Sequence, residues 1–209
     1  MFLKPSMSVV PTLAQDYPEW HKGRTHYSLW YLEIQQPELL HYLHQLRQHF
    51  ADMLYTPNTR QFHITLFICG FLTAHEQKWD DDFSHQQLQQ QIEILNPERK
   101  FSFKLKSGYL NSFESALFIE IEDMQESLAE IRQQLYACSE EVAPLQYCPH
   151  ITLGLYKDYI NSDAVFERMQ NIPQQQFEFQ VQQLTFGTYH AQTLQGPLTP
   201  YHQFILGDV

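Results

Sequence analysis

Alternating and helical patterns of apolar residues divide the chain into strands and helices in mixed order. Short alternating runs rich in aromatic and β-branched residues predict strands, and apolar residues spaced three and four apart predict helices. The predicted strands are 26–34, 61–71, 101–106, 116–122, 146–156, 177–189 and 201–206. The predicted helices are 37–54, 84–95, 124–141 and 163–169. Pro37 and Ser84 are the start signals of the first two helices.

The order of these elements predicts an α+β fold with antiparallel sheets, because hairpins and helices alternate along the chain. Strands 101–106 and 116–122 are expected to form a hairpin, since Gly108 and Asn111 lie between them. A strand-helix-strand arrangement occurs in each half, which suggests a duplication. Residues 1–25, which contain three prolines, are expected to be an irregular lead-in, and 26–209 to form one domain.

The tetrapeptide His-Ile-Thr-Leu occurs twice, at residues 63–66 and 150–153, each time within a predicted strand. A His-aliphatic-Thr-aliphatic pattern is expected by chance in only about 0.02 copies in a chain of this composition. A single His-x-Thr on a strand is more often a structural pair than a catalytic one. Two copies in matching contexts favour a functional role.

Strand geometry gives the two motifs a chemical meaning. Side chains alternate along a strand, so His63 and Thr65 share one face, as do His150 and Thr152, and the aliphatic residues face the other way. If two lobes face each other, two imidazoles and two hydroxyls meet in one cleft. One imidazole can accept a proton and the other can donate one, and each transfer contributes about 10² to 10⁴ in rate. The hydroxyls can bind the oxygens where negative charge develops.

Composition and charge narrow the substrate. The chain has 24 acidic and 13 basic residues, with a formal net charge of −11. This charge argues against binding to long duplex nucleic acid, which needs many Lys and Arg contacts to phosphate. It favours a small phosphorylated ligand or the end of an RNA.

Cysteine use and hydropathy predict the cellular context. Cys69, Cys138 and Cys148 are widely spaced and are expected to be reduced thiols. The sequence has neither an apolar run of about 18 residues nor a clear signal peptide, so a cytoplasmic protein without membrane contact is expected. No carboxylate cluster lies near either motif, so no metal or cofactor is expected. A monomer is expected.

The two motif segments resemble the 2H phosphoesterase superfamily, the LigT-like or 2′-5′ RNA ligase-like proteins. The resemblance rests on RQFHITLFICGF at 60–71 and YCPHITLGL at 147–155, and the element order from about residue 26 to 206 is also similar. It implies a bilobal α+β fold of two antiparallel sheets with pseudo-two-fold symmetry, flanked by helices around a central cleft. It also implies a metal-independent phosphodiesterase, with possible reversal as a ligase, that acts on 2′,3′-cyclic or 2′-5′ phosphodiesters of RNA or nucleotides. His63 and His150 would be the acid-base pair, and Thr65 and Thr152 the phosphate ligands.

One position departs from the family pattern. Many relatives place an arginine after the second motif, as H-x-T-L-A-R, where this chain has Leu155. Strand alternation directs Lys157, the nearest cation, away from His150, so the additional positive charge must come from elsewhere, or a bulge must turn Lys157 inward. Arg24 and Arg60 could bind a distal phosphate, although a solvated surface position is the favoured interpretation for both.

Several aromatic residues are candidates for contact with a base or ribose, although ordinary packing is favoured for each. By alternation Tyr156 lies on the His150 face and Phe67 on the His63 face, and Tyr109 and Tyr27 are further candidates. Two other functions remain open. The same cleft could bind a nucleotide or RNA end without turnover, or the fold could serve protein interaction through its aromatic N-terminal segment.

Overall fold

The computed structural model describes residues 1–13, 18–95, 102–142 and 146–207. Within these ranges the helices are α1 (Pro18–His21), α2 (Pro37–His49), α3 (His85–Leu95), α4 (Ser127–Tyr136) and α5 (Ser162–Gln170). The strands are β1 (His26–Glu33), β2 (His63–Thr73), β3 (Asp82–Ser84), β4 (Phe103–Ser112), β5 (Ala116–Glu122), β6 (His150–Leu155), β7 (Glu178–Val181), β8 (Gln183–His190) and β9 (Thr199–Ile205).

The strands form one nine-stranded, mostly antiparallel sheet in the order β7-β4-β5-β6-β2-β1-β8-β9, and β3 pairs in parallel with β2. We call β2-β1-β8-β9 with β3 the first half-sheet, and β6-β5-β4-β7 the second half-sheet. They meet where β2 pairs with β6 through Ile64 and Ile151. The predicted α+β class with antiparallel strands is confirmed. The two predicted sheets are continuous through this one residue pair.

The two halves of the chain follow the same path and exchange a strand. The path β1-α2-β2-α3-β4 in the N-terminal half corresponds to β5-α4-β6-α5-β8 in the C-terminal half. In each case the last strand pairs in the other half-sheet: β4 pairs with β5, and β8 pairs with β1. The motif strands β2 and β6 are equivalent in this arrangement and lie side by side at the centre of the sheet.

The helices cover the aliphatic face of the sheet and connect the two half-sheets. Helix α2 packs against β6 and helix α4 packs against β2, so each central strand is covered by a helix that follows a strand of the other half-sheet. The aliphatic residues of both motifs are buried beneath these helices: Ile64, Leu66, Ile151 and Leu153. Burial of these side chains fixes the face on which the motif histidines and threonines lie.

Two helix boundaries show how side chains set the ends of the elements. Ser84 precedes α3 as predicted: its hydroxyl accepts from the Gln87 amide, and the Gln87 side chain accepts from the Ser84 amide, a capping box. The predicted helix 124–141 is shorter than expected and spans Ser127–Tyr136. The Asp123 carboxylate accepts from the amides of residues 127 and 128 and starts α4 there.

The predicted strand 177–189 is two strands, β7 and β8. Val181 pairs with Phe103 in the second half-sheet, and Gln183 pairs with Ile205 in the first half-sheet. The chain therefore crosses between half-sheets at Gln182. An unbroken β-prone sequence gives no indication of this change of partner.

The N-terminal segment 1–13 is attached to β4 and to the segment that follows β6 by main-chain hydrogen bonds. The amides of Leu3, Val9 and Thr12 donate to carbonyls at residues 112, 160 and 156 respectively. Leu3 and Val9 are buried in the main core. This part of the predicted lead-in is therefore packed on the domain.

Candidate active site

The pairing of β2 with β6 brings the two motifs together. Ile64 lies opposite Ile151 in an antiparallel pair. One residue away in either direction, His63 lies beside Thr152, and Thr65 lies beside His150. Cross-strand neighbours share a face, so both imidazoles and both hydroxyls lie on the side of the sheet opposite the buried isoleucines.

Each motif strand contains a β-bulge, in which the leucine of the motif is an extra residue without a partner. Along β1, Trp30 pairs with Phe67 and Tyr31 with Thr65, so Leu66 has no partner residue in that ladder. Along β5, the pairing passes from Thr152 to Gly154 in the same way and omits Leu153. An extra residue reverses the alternation of the residues that follow it. Both bulges occur at the same place in the repeated path.

The bulges correct two sequence predictions. Phe67 was expected on the His63 face, but it is fully buried in the core, edge-on to Tyr136. Tyr156 was expected on the His150 face, but it is also fully buried, and its hydroxyl lies 2.7 Å from that of Ser112. Leu155 lines the cleft instead. Residue 155, where the resemblance leads us to expect arginine, therefore faces the cleft.

Main-chain carbonyls orient both imidazoles. His63 Nδ1 lies 2.8 Å from the carbonyl oxygen of Gln61, and His150 Nδ1 lies 2.7 Å from that of Cys148. Because a carbonyl can only accept, Nδ1 carries the proton in both rings. Nε2 is then the basic atom of each neutral imidazole, and it is on the opposite side of the ring. The two histidines are thus held in the same way, by the carbonyl two residues before each.

Burial favours the neutral form of both histidines. Burial, together with the positive charges of Arg60 and His150, lowers the pKa of His63 to about 4, against the opposing effect of the Gln61 carbonyl. Burial also lowers the pKa of His150. The Ile64–Ile151 pair puts the two rings on neighbouring strands, one residue away from that pair on either side. A negatively charged ligand between them would favour protonation of either ring.

The cleft beside the motifs has a volume of about 300 Å³. Its walls include His63, Thr65 and Thr152, together with Arg47 and Arg60. The rest of the lining comes from residues Trp20, Asn58, Gln61, Leu155, Tyr189, Ala191, Gln192, Thr193, Leu194 and Gln195. The space is sufficient for a mononucleotide-sized ligand and lies at the low end for small-molecule sites.

The sequence interpretation did not place either of the two cleft arginines in the cleft. Arg60 was interpreted as solvated surface, but it lies over the Tyr189 ring at 4.0 Å and its Nε donates to the carbonyl of Gly196. Arg47 was not singled out at all. It lies on α2 four residues after the buried Leu43, so the signal was a basic residue within an apolar helical stripe.

The remaining candidates lie outside the cleft. Arg24 is held by Asp81 and Asp82 at 2.6 Å, and Lys157 is exposed. Tyr27 is buried in an aromatic cluster with Trp20, Phe71 and Tyr189, so it supports the cleft wall from behind. Tyr109 lies in β4 and not in a turn, and its exposed side chain is not among the residues that line the cleft.

Gln195 joins the loops that form one wall of the cleft. Its side-chain oxygen accepts from the Leu155 amide at 2.9 Å and from the Asn58 side chain at 3.2 Å, and its side-chain nitrogen donates to the Tyr55 carbonyl. The residue is buried and has a φ of 52°, a strained conformation for a residue other than glycine. Its hydrogen bonds compensate for that strain and position the wall against β6.

Aromatic rings surround His150. Its imidazole packs edge-on against Phe113 and Phe118, with centroids at 5.0 and 5.2 Å. Phe2, in the N-terminal segment, covers Phe113 at 5.3 Å and is about half exposed. The segment predicted to be a lead-in therefore contributes to the packing that holds a motif histidine. No signal in the sequence alone indicated this contact.

Two further properties concern only the described ranges. No three His, Cys, Asp or Glu side chains there come together as a metal-binding group. None of the helices there has both the length and the apolar character needed to cross a bilayer.

Comparisons with known proteins agree with this architecture. A family model described as the 2′-5′ RNA ligase superfamily matches residues 29–193. No curated protein sequence matches the chain. The fold is similar to that of E. coli LigT complexed with 3′-AMP (15% identity, TM-score 0.61, 88% of this chain and 99% of that chain). It is also similar to LigT complexed with NADP+ (16%, 0.58, 87% and 98%) and to a structure described as a phosphoesterase (15%, 0.56, 88% and 99%).

Proposed function

The chain belongs to the 2′-5′ RNA ligase superfamily, whose members are of the phosphoesterase type, and from this premise we propose that it is a two-histidine phosphodiesterase. Its substrate is a 2′,3′-cyclic or 2′-5′ phosphodiester of a nucleotide or RNA end. The observation that carries the proposal is the Ile64–Ile151 pair, because it puts each motif histidine beside the threonine of the other motif.

Hydrolysis of a cyclic phosphate needs one base, one acid and donors to the phosphoryl oxygens. His63, with a pKa of about 4, is neutral near pH 7, and its Nε2 takes the proton from the attacking water as the new oxygen–phosphorus bond forms. His150, protonated when the anionic substrate binds, gives a proton from Nε2 to the ribose oxygen as its bond to phosphorus breaks. Thr65 and Thr152 donate hydrogen bonds to the non-bridging oxygens. Reversal of the same steps forms the phosphodiester.

The nucleotide part of the proposal draws on the similar folds. LigT, similar over most of both chains, has been solved with 3′-AMP and with NADP+. The cleft volume of about 300 Å³ suits a ligand of mononucleotide size, and the net charge of −11 disfavours long nucleic acid. These observations support a nucleotide or an RNA terminus as the bound group.

The test is hydrolysis of 2′,3′-cyclic mononucleotides, a cyclic-phosphate-ended RNA and a 2′-5′ dinucleotide, with chelator present. We expect wild-type turnover, a loss of at least about 100-fold in His63→Gln and in His150→Gln, and about 10- to 1,000-fold in Thr65→Val and in Thr152→Val. The exposed His75 provides the control, and His75→Gln is expected to retain full activity. Wild-type activity in a His63→Gln/His150→Gln double variant would refute the proposal.

Leu155 favours a second candidate function, a nucleotide-binding module without turnover. Its side chain lines the cleft at the position where many relatives have arginine, so one charged contact to the reacting phosphate is missing. Isothermal titration with 3′-AMP, combined with a product assay, separates the two functions. Binding in the absence of any product after long incubation with the whole substrate panel would favour the binding module.

A further inference from the structure

The cleft holds two arginines that have no carboxylate partner among the described residues. Of the five arginines in these ranges, Arg24, Arg132 and Arg168 each form a salt bridge with an acidic side chain. Arg47 and Arg60 form none, and these two line the cleft beside His63. In a chain with 24 acidic residues, this difference between the cleft arginines and the others requires an explanation.

Each cleft arginine is fixed through its Nε atom and an aromatic ring. Arg47 Nε donates to the carbonyl of Leu153 at 2.8 Å, and the guanidinium group lies 3.9 Å from the centre of the Phe62 ring. No described residue accepts a hydrogen bond from its two terminal nitrogens. Arg60 Nε donates to the Gly196 carbonyl at 2.8 Å, and its guanidinium group lies over the Tyr189 ring. Both side chains are therefore held in place before any ligand binds.

The electrostatic consequence is a localised excess of positive charge. Burial lowers the pKa of Arg47 to about 10 and also lowers the pKa of Arg60, so both cations are partly removed from water without a compensating anion. Arg60 and His63 line the same cleft, and the charge of Arg60 contributes to the lowered pKa of His63. Buried charges are normally paired, and a bound phosphate would pair these.

The positions of the two arginines allow them to supply the phosphate contact that Leu155 cannot make. Arg60 precedes the first motif by three residues, and Arg47 is anchored on the carbonyl of Leu153 in the second motif. They therefore lie near both motif strands, whereas Leu155 contributes only an apolar surface. A phosphodiester carries one negative charge, but the pair carries two positive charges. A terminal phosphate carries a charge of about −1.5 to −2 near pH 7, so a ligand with one additional phosphate supplies enough negative charge for both arginines.

We propose that Arg47 and Arg60 are the phosphate-binding cations of the cleft and that they select nucleotides carrying a second phosphate besides the reacting one. The substrate class is then a cyclic phosphate or phosphodiester on a nucleoside that also bears a terminal phosphate, such as a 5′-phosphate. This proposal rests on the proposed function for the reaction. It concerns binding, so it can be tested separately from turnover.

The test is isothermal titration of adenosine 3′-monophosphate and adenosine 3′,5′-bisphosphate. We expect wild-type protein to bind the bisphosphate at least about 10-fold more tightly, and Arg47→Met and Arg60→Met each to weaken bisphosphate binding about 10- to 100-fold. The exposed Lys157 is the control, and Lys157→Met is expected to change neither affinity appreciably. Introducing Leu155→Arg into Arg60→Met is expected to restore part of the lost affinity, because residue 155 faces the same cleft.

The outcomes separate this proposal from the proposed function. Equal affinity of wild-type protein for the two nucleotides would overturn it, as would equal effects of Arg60→Met and Lys157→Met. If a methionine variant does not fold by circular dichroism, Arg47→Lys and Arg60→Lys replace it, and the wild-type comparison still decides. Selective binding without turnover would leave this proposal standing and refute the phosphodiesterase. Turnover without selective binding of the bisphosphate would support the phosphodiesterase and refute this proposal.

Discussion

Replacement of His63 by glutamine removes a buried imidazole that the fold holds in its neutral form. The residue is 9% exposed, and burial lowers the pKa of its imidazole to about 4. In the unfolded chain a histidine has a pKa of about 6.5. As the pH falls below 6.5, the unfolded chain takes up a proton at residue 63 that the folded chain does not take up until about pH 4. Acid therefore favours unfolding through this residue.

The magnitude follows from the difference between the two pKa values. Each unit of pKa difference is worth about 1.4 kcal/mol, so the full effect of His63 is about 3 kcal/mol once the pH is below 4. Between pH 7 and pH 5 the contribution is about 2 kcal/mol. The pKa of His150 is also lowered, but this residue is present in both proteins, so its effect cancels in the comparison.

Urea denaturation at pH 7 and pH 5 measures the effect. Wild-type protein should lose about 2 kcal/mol more free energy of unfolding over this interval than His63→Gln. The exposed His75 is the matched control, and His75→Gln should follow the wild-type pH dependence. An identical pH dependence in wild type and His63→Gln would refute the argument, because His63 would then titrate as it does in the unfolded chain.

Three further substitutions test the packing around the site, each by chemical denaturation. Gly70→Ala should lower the free energy of unfolding by about 2 to 4 kcal/mol, because φ at residue 70 is 109° and the new Cβ would overlap the Asp81 carbonyl. Gly23→Ala, in open space at φ 81°, should cost only about 1 kcal/mol, and equal costs would contradict the overlap. Arg132→Met should lower the free energy of unfolding by about 3 to 5 kcal/mol, because it leaves the buried Glu141 carboxylate without its cationic partner. Adding Glu141→Gln to this variant should recover part of the loss. Additive losses from the two substitutions would contradict a buried pair. Gln195→Ala should cost about 1 to 3 kcal/mol and raise KM through the loosened cleft wall, and an unchanged KM would place the wall outside substrate binding.

Periodicity predicted the elements and the central feature of the site. The repeated motif and strand alternation were sufficient to group His63 with Thr65 and His150 with Thr152, because residues two apart lie on the same side of any regular strand. The aliphatic residues between them were correctly expected to be buried. Capping chemistry was similarly local, and Ser84 is the cap that the sequence indicated.

The predictions failed where long-range pairing overrides local pattern. Leu66 and Phe67 are consecutive apolar residues, and nothing local shows that a bulge buries both of them. The same applies after Leu153, where the bulge moves Leu155 into the cleft and Tyr156 out of it. Arg47 was missed because its place in the cleft depends on the packing of α2 against β6. Such contacts are properties of the assembled sheet.

The exchange of β4 and β8 between the half-sheets has a consequence for how the molecule can be divided. A cut in the turn between β4 and β5 would give two fragments, each containing one complete motif. Neither fragment could complete its own half-sheet. The first half-sheet would lack β8, which pairs with β1, and the second half-sheet would lack β4, which pairs with β5. The two halves of the chain are thus interlocked through the exchanged strands. Neither motif strand therefore keeps a complete half-sheet once the other half of the chain is removed.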